Sequence, residues 1–129
     1  MSNIKQRFGH LFADEYCHGK PYGLIECPGW ESKAISFLED LNRSQQQFGH
    51  RIRIVSMSDC GTSISVHTTH NHPDVNNLIQ KLKRISMITC CKCGNPGQPH
   101  EQNIDKDDCD YKYRTLCDIC GKGCPIVNV

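Results

Sequence analysis

The sequence predicts an α+β fold, in which helices pack on a small antiparallel β-hairpin or sheet and a zinc ribbon follows at the C-terminal end. Three patterns indicate this fold: two long stretches with apolar residues at helical spacing, an alternating pattern between them, and two Cys-x-x-Cys pairs after them. We therefore divide the 129 residues into an α+β domain over residues 1–88 and a zinc ribbon over residues 89–129 that continues directly from it.

The apolar spacing predicts three helices. A short one is expected over residues 3–16. A longer one runs from Trp30 to about Gln46, and its buried stripe is formed by Trp30, Ala34, Phe37, Leu38 and Leu41. The clearest helix begins at Pro73, because proline suits the first helical position. Its stripe consists of Val75, Leu78, Ile79, Leu82 and Ile85. Since this helix runs almost directly into Cys90, we expect the first cysteine pair to be fixed to the core.

Alternation of apolar and polar residues predicts the strands. Residues 51–57 and 62–68 both alternate, and the segment Ser-Asp-Cys-Gly at 58–61 has the composition of a turn between them. We expect these segments to form an antiparallel hairpin with Ile52 and Ile54 on one face. Residues 94–100 are rich in glycine and proline and are predicted to be a loop, whereas residues 111–116 alternate and form a strand that leads to the second cysteine pair.

The two Cys-x-x-Cys pairs have the spacing of a structural zinc ribbon. Their cysteines are Cys90, Cys93, Cys117 and Cys120. Two thiolates of one tetrahedral ion must lie on one tight turn, and two intervening residues provide that turn. Gly94 and Gly121 follow the pairs directly, and we expect a positive φ at both, which brings backbone amides close to the sulfurs. Because four thiolates close the coordination shell, we predict a structural zinc site and no catalytic residues.

Composition limits the compartment and the partners. A net charge of +1 gives no support to non-specific nucleic-acid binding through bulk charge, which leaves local basic patches as the only route to it. The chain has ten cysteines and opens without a charged and then apolar leader, so we expect reduced thiols and a cytoplasmic protein. No apolar run approaches the length of a membrane span, so no membrane partner is expected.

Further cysteines and histidines leave other metal sites open. Cys91 lies inside the first pair and competes with Cys90 as a ligand. Only one residue separates Cys91 from Cys93, however, and this shorter spacing favours Cys90. A second site could include Cys17, His18 and Cys27, but their spacing fits no standard site. Three histidines in a short polar segment are also candidates: His67, His70 and His72.

The segment His70-Asn-His72-Pro73 resembles the zinc-binding element of the JAMM metalloproteases. That family also needs a serine and an aspartate further on, near Lys81 and Arg84, and neither is present. Without the carboxylate the metal would lack its third protein ligand. A polar turn that caps the next helix is the simpler interpretation, and a metallohydrolase is kept as the second alternative function.

A basic and aromatic surface on the ribbon would suit nucleic acid. In the strand before the second cysteine pair, tyrosines alternate with cations, an arrangement that allows base stacking and phosphate contact. The candidate residues are Lys92, Tyr111, Lys112, Tyr113 and Arg114. The run of aspartates between residues 105 and 110 is expected to be a solvated loop. Nucleic-acid binding is the first alternative function.

The segments around the cysteine pairs also carry a resemblance. They read Cys-Cys-Lys-Cys-Gly-Asn-Pro-Gly over residues 90–97 and Arg-Thr-Leu-Cys-Asp-Ile-Cys over residues 114–120. With Cys17 and with Gly29-Trp30 at the start of a helix, the chain resembles a group of small phage and prophage zinc-ribbon proteins of unassigned function. The resemblance covers residues from about 16 to 121 and implies zinc, a phage-type origin and small size, but no mechanism.

From these observations we expect a zinc-binding protein that acts without catalysis. It would bind a host macromolecule, most readily a protein complex, and alter it. An antiviral defence system and the transcription machinery are the targets suggested by analogy with other phage proteins, which is an argument from association.

Overall fold

The computed structural model describes residues 7–13, 22–23, 27–49, 51–101 and 113–127. Within these ranges the chain forms two long helices, α1 (Glu31–Phe48) and α2 (Pro73–Ser86). Its five strands are β1 (Tyr22–Gly23), β2 (Ile54–Asp59), β3 (Ile64–Thr68), β4 (Gln98–Glu101) and β5 (Tyr113–Leu116). The predicted α+β class is therefore confirmed.

The predicted hairpin is present, and it belongs to a sheet of three strands. Strand β2 pairs with β3 in antiparallel fashion, and β1 adds in parallel on the other side of β2. The register shifts between Ile54 and Ser56, which places one extra residue on β2. Because of this bulge Ile54 and Met57 are both buried, although strict alternation would place them on opposite faces.

The second sheet lies in the ribbon and has two antiparallel strands, β4 and β5, with His100 opposite Arg114. Strand β5 confirms part of the predicted strand. Strand β4 corrects the prediction of a loop, since Gln98 to His100 belong to it. Pro99 is accommodated because β4 has β5 on one side and only an isolated bridge, His100 to Ile126, on the other.

Helix α1 follows a turn of 3-10 helix at Pro28–Trp30 and ends at Phe48, two residues beyond the predicted end. The predicted stripe is confirmed, because Ala34, Phe37, Leu38 and Leu41 are buried. Gly49 terminates the helix with a φ of 71°, and its N–H donates to the carbonyl of Gln45 at 2.8 Å.

Helix α2 begins as predicted, with Pro73 at its first position and Asp74 in the first turn. The Nδ1 atom of His72 accepts a hydrogen bond from the Asp74 N–H at 3.2 Å. This bond confirms the interpretation that the histidine-rich turn caps the helix. Val75 and Leu82 are buried in the core, and Lys83 and Arg84 lie in the last turn, where the helix dipole favours positive charge.

The two helices run antiparallel. The first half of α1 faces the second half of α2, because Lys33 and Phe37 line the same groove as Leu82 and Ile85. The far end of α1 shares a second hollow with the start of α2, formed in part by Gln47 and Asp74.

The predicted N-terminal helix falls mostly on residues 1–6 and 14–16, which lie outside the described residues. In the described part, a turn of 3-10 helix at Gly9–Leu11 is present, and the side chains of the expected apolar face at Phe8, Leu11 and Phe12 are buried.

One apolar core joins the sheet, the helices and the ribbon. Trp30, Leu38, Met57 and Ile64 are fully buried, and the same cluster includes Cys90, Cys91 and Leu116 of the ribbon. Core contacts thus cross the predicted boundary at residue 88. In the ranges that the structure describes, no helix is long and apolar enough to cross a membrane.

Candidate metal centre

The two cysteine pairs come together at one point. The Sγ atoms of Cys90, Cys93, Cys117 and Cys120 all lie within 4.8 Å of one another. The Sγ atoms of Cys93 and Cys117 are 3.4 Å apart. A tetrahedral ion with metal–sulfur bonds of about 2.3 Å needs sulfurs roughly 3.8 Å apart, so four donors of this kind at these separations can hold a metal ion.

Each pair lies on a tight turn, which we call the first knuckle (residues 90–94) and the second knuckle (residues 117–121). The first knuckle follows the end of α2 and is closed by the Gly94 N–H, which donates to the Cys90 carbonyl at 3.0 Å. The second follows β5 and is closed in the same way by the Gly121 N–H, which donates to the Cys117 carbonyl at 2.8 Å. The knuckles therefore have matching backbone geometry.

The two knuckle glycines are required for different reasons. Gly94 has a φ of 84°, as predicted. Gly121 is not among the described residues with positive φ, which corrects the prediction for the second knuckle. A Cβ atom at Gly121 would lie 2.7 Å from the imidazole of His100, so its small size makes room for that buried ring.

Hydrogen bonds from backbone amides and from neighbouring thiols divide the four cysteines into two with a lowered pKa and two with a raised pKa. Burial disfavours the Cys90 thiolate, but the backbone N–H groups of Cys93 and Cys117 outweigh burial and lower the pKa of Cys90 to about 6. The backbone N–H of Cys120, 3.3 Å from the Cys117 sulfur, likewise lowers the pKa of Cys117. Hydrogen bonds with the thiols of Cys117 and Cys90 raise the pKa of Cys120 to about 12.

For Cys93, the backbone N–H of Asn95 favours the thiolate, but the thiols of Cys117 and Cys90 outweigh it and raise the pKa. One cysteine of each knuckle is thus stabilised as a thiolate, and the other shares its proton with its neighbours. A bound cation would replace those protons, because metal ligation requires thiolates.

The first knuckle is packed directly against the start of α1. The Gly29 N–H donates to the Cys91 carbonyl at 2.8 Å, and a Cβ atom at Gly29 would lie 2.2 Å from the Cys90 carbonyl oxygen. The indole Nε1 of Trp30 donates to the Thr89 carbonyl at 2.7 Å. These contacts fix the metal centre to the core, as the sequence predicted from the short distance between α2 and Cys90.

Strand β5 docks the other side of the ribbon on the hairpin turn. The Thr115 N–H donates to the Gly61 carbonyl at 3.3 Å, and the Thr115 hydroxyl donates to the Thr62 carbonyl at 2.7 Å. Thr115 is completely buried, so the donor end of both bonds is shielded from solvent, which strengthens them relative to bonds at the surface.

Behind the first knuckle lies a set of four largely buried side chains that we call the Arg114 cluster. Its members are Cys27, Asp59, Cys91 and Arg114. An ion pair joins the Arg114 guanidinium to the Asp59 carboxylate at 2.8 Å. The Arg114 Nη1 atom also lies 3.6 Å from the Cys27 sulfur and 3.8 Å from the Cys91 sulfur. Both thiols are completely buried, so the cluster links the ribbon to β2 and to the segment before α1.

Each charged group in the Arg114 cluster stabilises the charged form of its neighbour. Burial opposes the positive charge of Arg114, but the hydrogen bond and attraction of Asp59 outweigh it and raise the pKa of Arg114. The hydrogen bond between the two thiols raises the pKa of Cys27 and lowers that of Cys91, and Arg114 adds to the latter effect. The Cys91 sulfur therefore belongs to this cluster, and Cys90 lies with the other knuckle cysteines.

The structure separates the residues proposed for nucleic acid. Arg114 is buried in an ion pair, which corrects the expectation that it lies on a basic surface. Tyr113 is half-buried and Lys92 is exposed on the first knuckle. Tyr111 and Lys112 lie outside the described residues. The sequence does not reveal Asp59 as the partner of Arg114, because Asp59 falls in the predicted turn and nothing local indicates a buried cation opposite it.

The three histidines proposed as alternative ligands contact their own neighbours. The His67 Nε2 atom lies 3.4 Å from the Ser65 hydroxyl, and the His70 Nδ1 atom lies 3.0 Å from the Thr69 hydroxyl. Among the described residues, the four knuckle cysteines are the only cluster found of three or more His, Cys, Asp or Glu with converging ligand atoms. Cys17 and His18 fall outside the described residues, and Cys27 belongs to the Arg114 cluster.

Fold and site together define a small α+β protein in which four cysteines are placed so that they can hold a metal ion. Comparison with known proteins adds no family: no protein-family model, no curated protein and no solved structure matches the chain.

Proposed function

We propose that this chain is a small phage-type zinc protein that acts without catalysis, by binding a host protein complex in the cytoplasm and modulating it. The observation that carries the proposal is the convergence of four cysteine sulfurs within 4.8 Å. Such a set closes the coordination shell of a tetrahedral ion. It leaves no open position at which a bound water or substrate could be activated.

Zinc is the metal that best suits this donor set. Thiolate ligands favour soft or borderline ions, and zinc takes four of them in a tetrahedron without redox chemistry. The ion would be structural, because the first knuckle also supports the start of α1 through Gly29 and Trp30. Structural zinc in zinc-finger peptides binds with an apparent free energy of about 10–16 kcal/mol, and binding energy of this kind would act here as folding free energy.

A binding role follows from what the site can and cannot do. Since a closed coordination shell leaves no place for chemistry at the ion, recognition of a partner is the role that best fits this site. A protein partner is favoured over nucleic acid because the burial of Arg114 removes one cation from the proposed basic surface. The phage-type origin rests on the resemblance of residues 90–97 and 114–120, and defence or transcription complexes are the targets that this origin suggests.

The test combines metal analysis with affinity capture. The purified chain should contain one zinc per molecule by mass spectrometry, and as bait in a lysate of the bacterial host it should retain a defined protein complex. The Cys60→Ser variant, which changes an exposed cysteine outside the knuckles, should behave like the wild type. Absence of zinc, or disulfides between the knuckle cysteines, would remove the basis of the proposal. Binding to DNA or RNA that weakens steeply with salt would favour the nucleic-acid function instead.

A further inference from the structure

We propose that the groove between α1 and α2 binds a partner segment that carries one large apolar side chain flanked by carboxylates. This inference rests on the proposed function, because it names the surface and the chemistry by which a protein partner would be recognised. It depends on the shape, the lining and the charge of the groove, and it involves none of the metal ligands.

The groove has the size of a single side-chain pocket. Its volume is about 160 Å³, and its apolar lining consists of the buried Phe37 and Leu82, which form its floor, and the partly exposed Leu78 and Ile85. A cavity of about 150 Å³ lined by similar residues accepts a benzene ring, so one phenylalanine or leucine side chain fits here. Burial of such a side chain contributes roughly 1.5–3 kcal/mol, which is enough for an anchor but not for a whole interface.

The rim of the groove is positively charged. Two lysines, Lys33 from α1 and Lys81 from α2, line it, and neither forms an ion pair with a described residue. The acidic residue of the lining, Asp40, is already paired with Arg43 at 2.9 Å. The two ammonium groups therefore remain available to an incoming ligand, and an acidic partner complements them.

The position of the apolar floor fixes where the anchor binds. Further along the seam the lining becomes polar, with Ser44, Gln47 and Asp74 in the second hollow, and the cation that also lines it, Arg43, is already paired with Asp40. A carboxylate placed there would face Asp74, whereas one placed near Lys33 and Lys81 would be attracted. The apolar anchor and its acidic neighbours therefore belong at the end of the groove where α1 begins and α2 ends.

The experiment uses displayed peptides as the probe and the zinc-loaded full chain as the bait. Two libraries of twelve-residue peptides have a central Phe or Leu and differ only in whether the flanking positions encode Asp and Glu or Lys and Arg. We expect acidic clones to be enriched at least tenfold over basic ones. Enrichment of basic clones alone, or of neither class, would overturn the inference.

Two groove variants and one matched control test the location. Ser36→Trp places an indole in the groove from an exposed position, and the double variant Lys33→Glu/Lys81→Glu reverses the rim charge. Both should weaken selected peptides at least tenfold, whereas Arg51→Glu, an exposed charge reversal before β2 and outside the groove lining, should not. Circular dichroism and zinc content establish that each variant is folded. Equal binding to wild type and both groove variants would refute the inference.

Failure of the inference and failure of the proposed function give different results. If the host complex is captured equally by wild type and by both groove variants, the chain binds a partner through another surface and only the groove assignment is wrong. If the wild type captures no host complex, the proposed function fails, whatever the peptides show.

Discussion

Arg114 shows at the scale of a single residue how one side chain can reverse the expected role of a segment. In the sequence it alternates with tyrosines and resembles a surface cation, but in the structure Asp59 faces it and two buried thiols surround it. The pair is formed between β2 and β5, so it exists only when the ribbon is docked on the hairpin. A charge that is buried and matched in this way is costly to leave without its partner.

Replacement of the guanidinium should therefore be strongly destabilising. Arg114→Met keeps the length of the side chain but leaves the Asp59 carboxylate buried without its cation, which should cost about 3–5 kcal/mol. Urea unfolding monitored by circular dichroism measures the loss. The double variant Arg114→Met/Asp59→Asn removes both charges and preserves the hydrogen bond from the Gly61 N–H to the residue at position 59. It should recover at least half of the stability, and a double variant as unstable as Arg114→Met would contradict the argument.

A single methyl group at Gly29 should loosen the metal centre. In Gly29→Ala the new Cβ would lie 2.2 Å from the Cys90 carbonyl oxygen, so α1 and the first knuckle must move apart. We expect the free energy of unfolding to fall by about 1–3 kcal/mol, as it does when a core is overpacked. Faster transfer of zinc to a competing chelator should accompany the loss. The matched control is Gly9→Ala, because nothing lies within 4 Å of a Cβ atom at that position. If the two variants were equally stable, the close approach of Gly29 to the Cys90 carbonyl would be unimportant.

At the scale of the elements, the start of α2 depends on its cap. The His72 Nδ1 atom accepts the Asp74 N–H, so His72→Ala should destabilise the chain by about 0.5–1 kcal/mol. His72→Asp should be at least as stable as the wild type, because a carboxylate can cap the same N–H and interacts favourably with the helix dipole. Thermal unfolding distinguishes the two variants. Equal loss in both would indicate that the imidazole has a role other than capping.

The elements that the sequence predicts well are those whose signal is local. Leu38 and Leu41 repeat at helical spacing, and the four knuckle cysteines lie at fixed spacing within their own turns, so neither pattern needs knowledge of the rest of the chain. The bulge after Ile54 cannot be predicted in this way, because the extra residue is detected only against the partner strand. Strand β4 was missed for the same reason: its pattern is polar and includes Pro99, and its conformation is imposed by β5.

At the scale of the whole molecule, metal and core should be lost together. Removal of zinc by a strong chelator should release the first knuckle, and with it the Thr89 carbonyl that holds the indole of Trp30. Trp30 is the only tryptophan and is completely buried, so its emission should move to longer wavelength as helix content falls. A single coincident transition is expected, because the apolar core extends into the ribbon.

Two cysteine variants provide the comparison for this prediction. Cys117→Ser removes one ligand and should reproduce the effect of the chelator without any chelator. Cys60→Ser changes an exposed thiol outside the knuckles and should leave zinc content and emission unchanged. Loss of zinc from Cys117→Ser with unchanged Trp30 emission would show that the ribbon unfolds separately from the rest.

The contact between Gly29-Trp30 and the first knuckle has a consequence for the order of events during synthesis. The amide of Gly29 and the indole of Trp30 find their acceptors at Cys91 and Thr89, roughly sixty positions later in translation. When only α1 and α2 have left the ribosome, the carbonyl groups that accept the hydrogen bonds of Gly29 and Trp30 have not yet emerged. The indole of Trp30 therefore still lacks its packing surface. If the knuckle cysteines bind an ion, its capture would complete a contact made by residues synthesised much earlier.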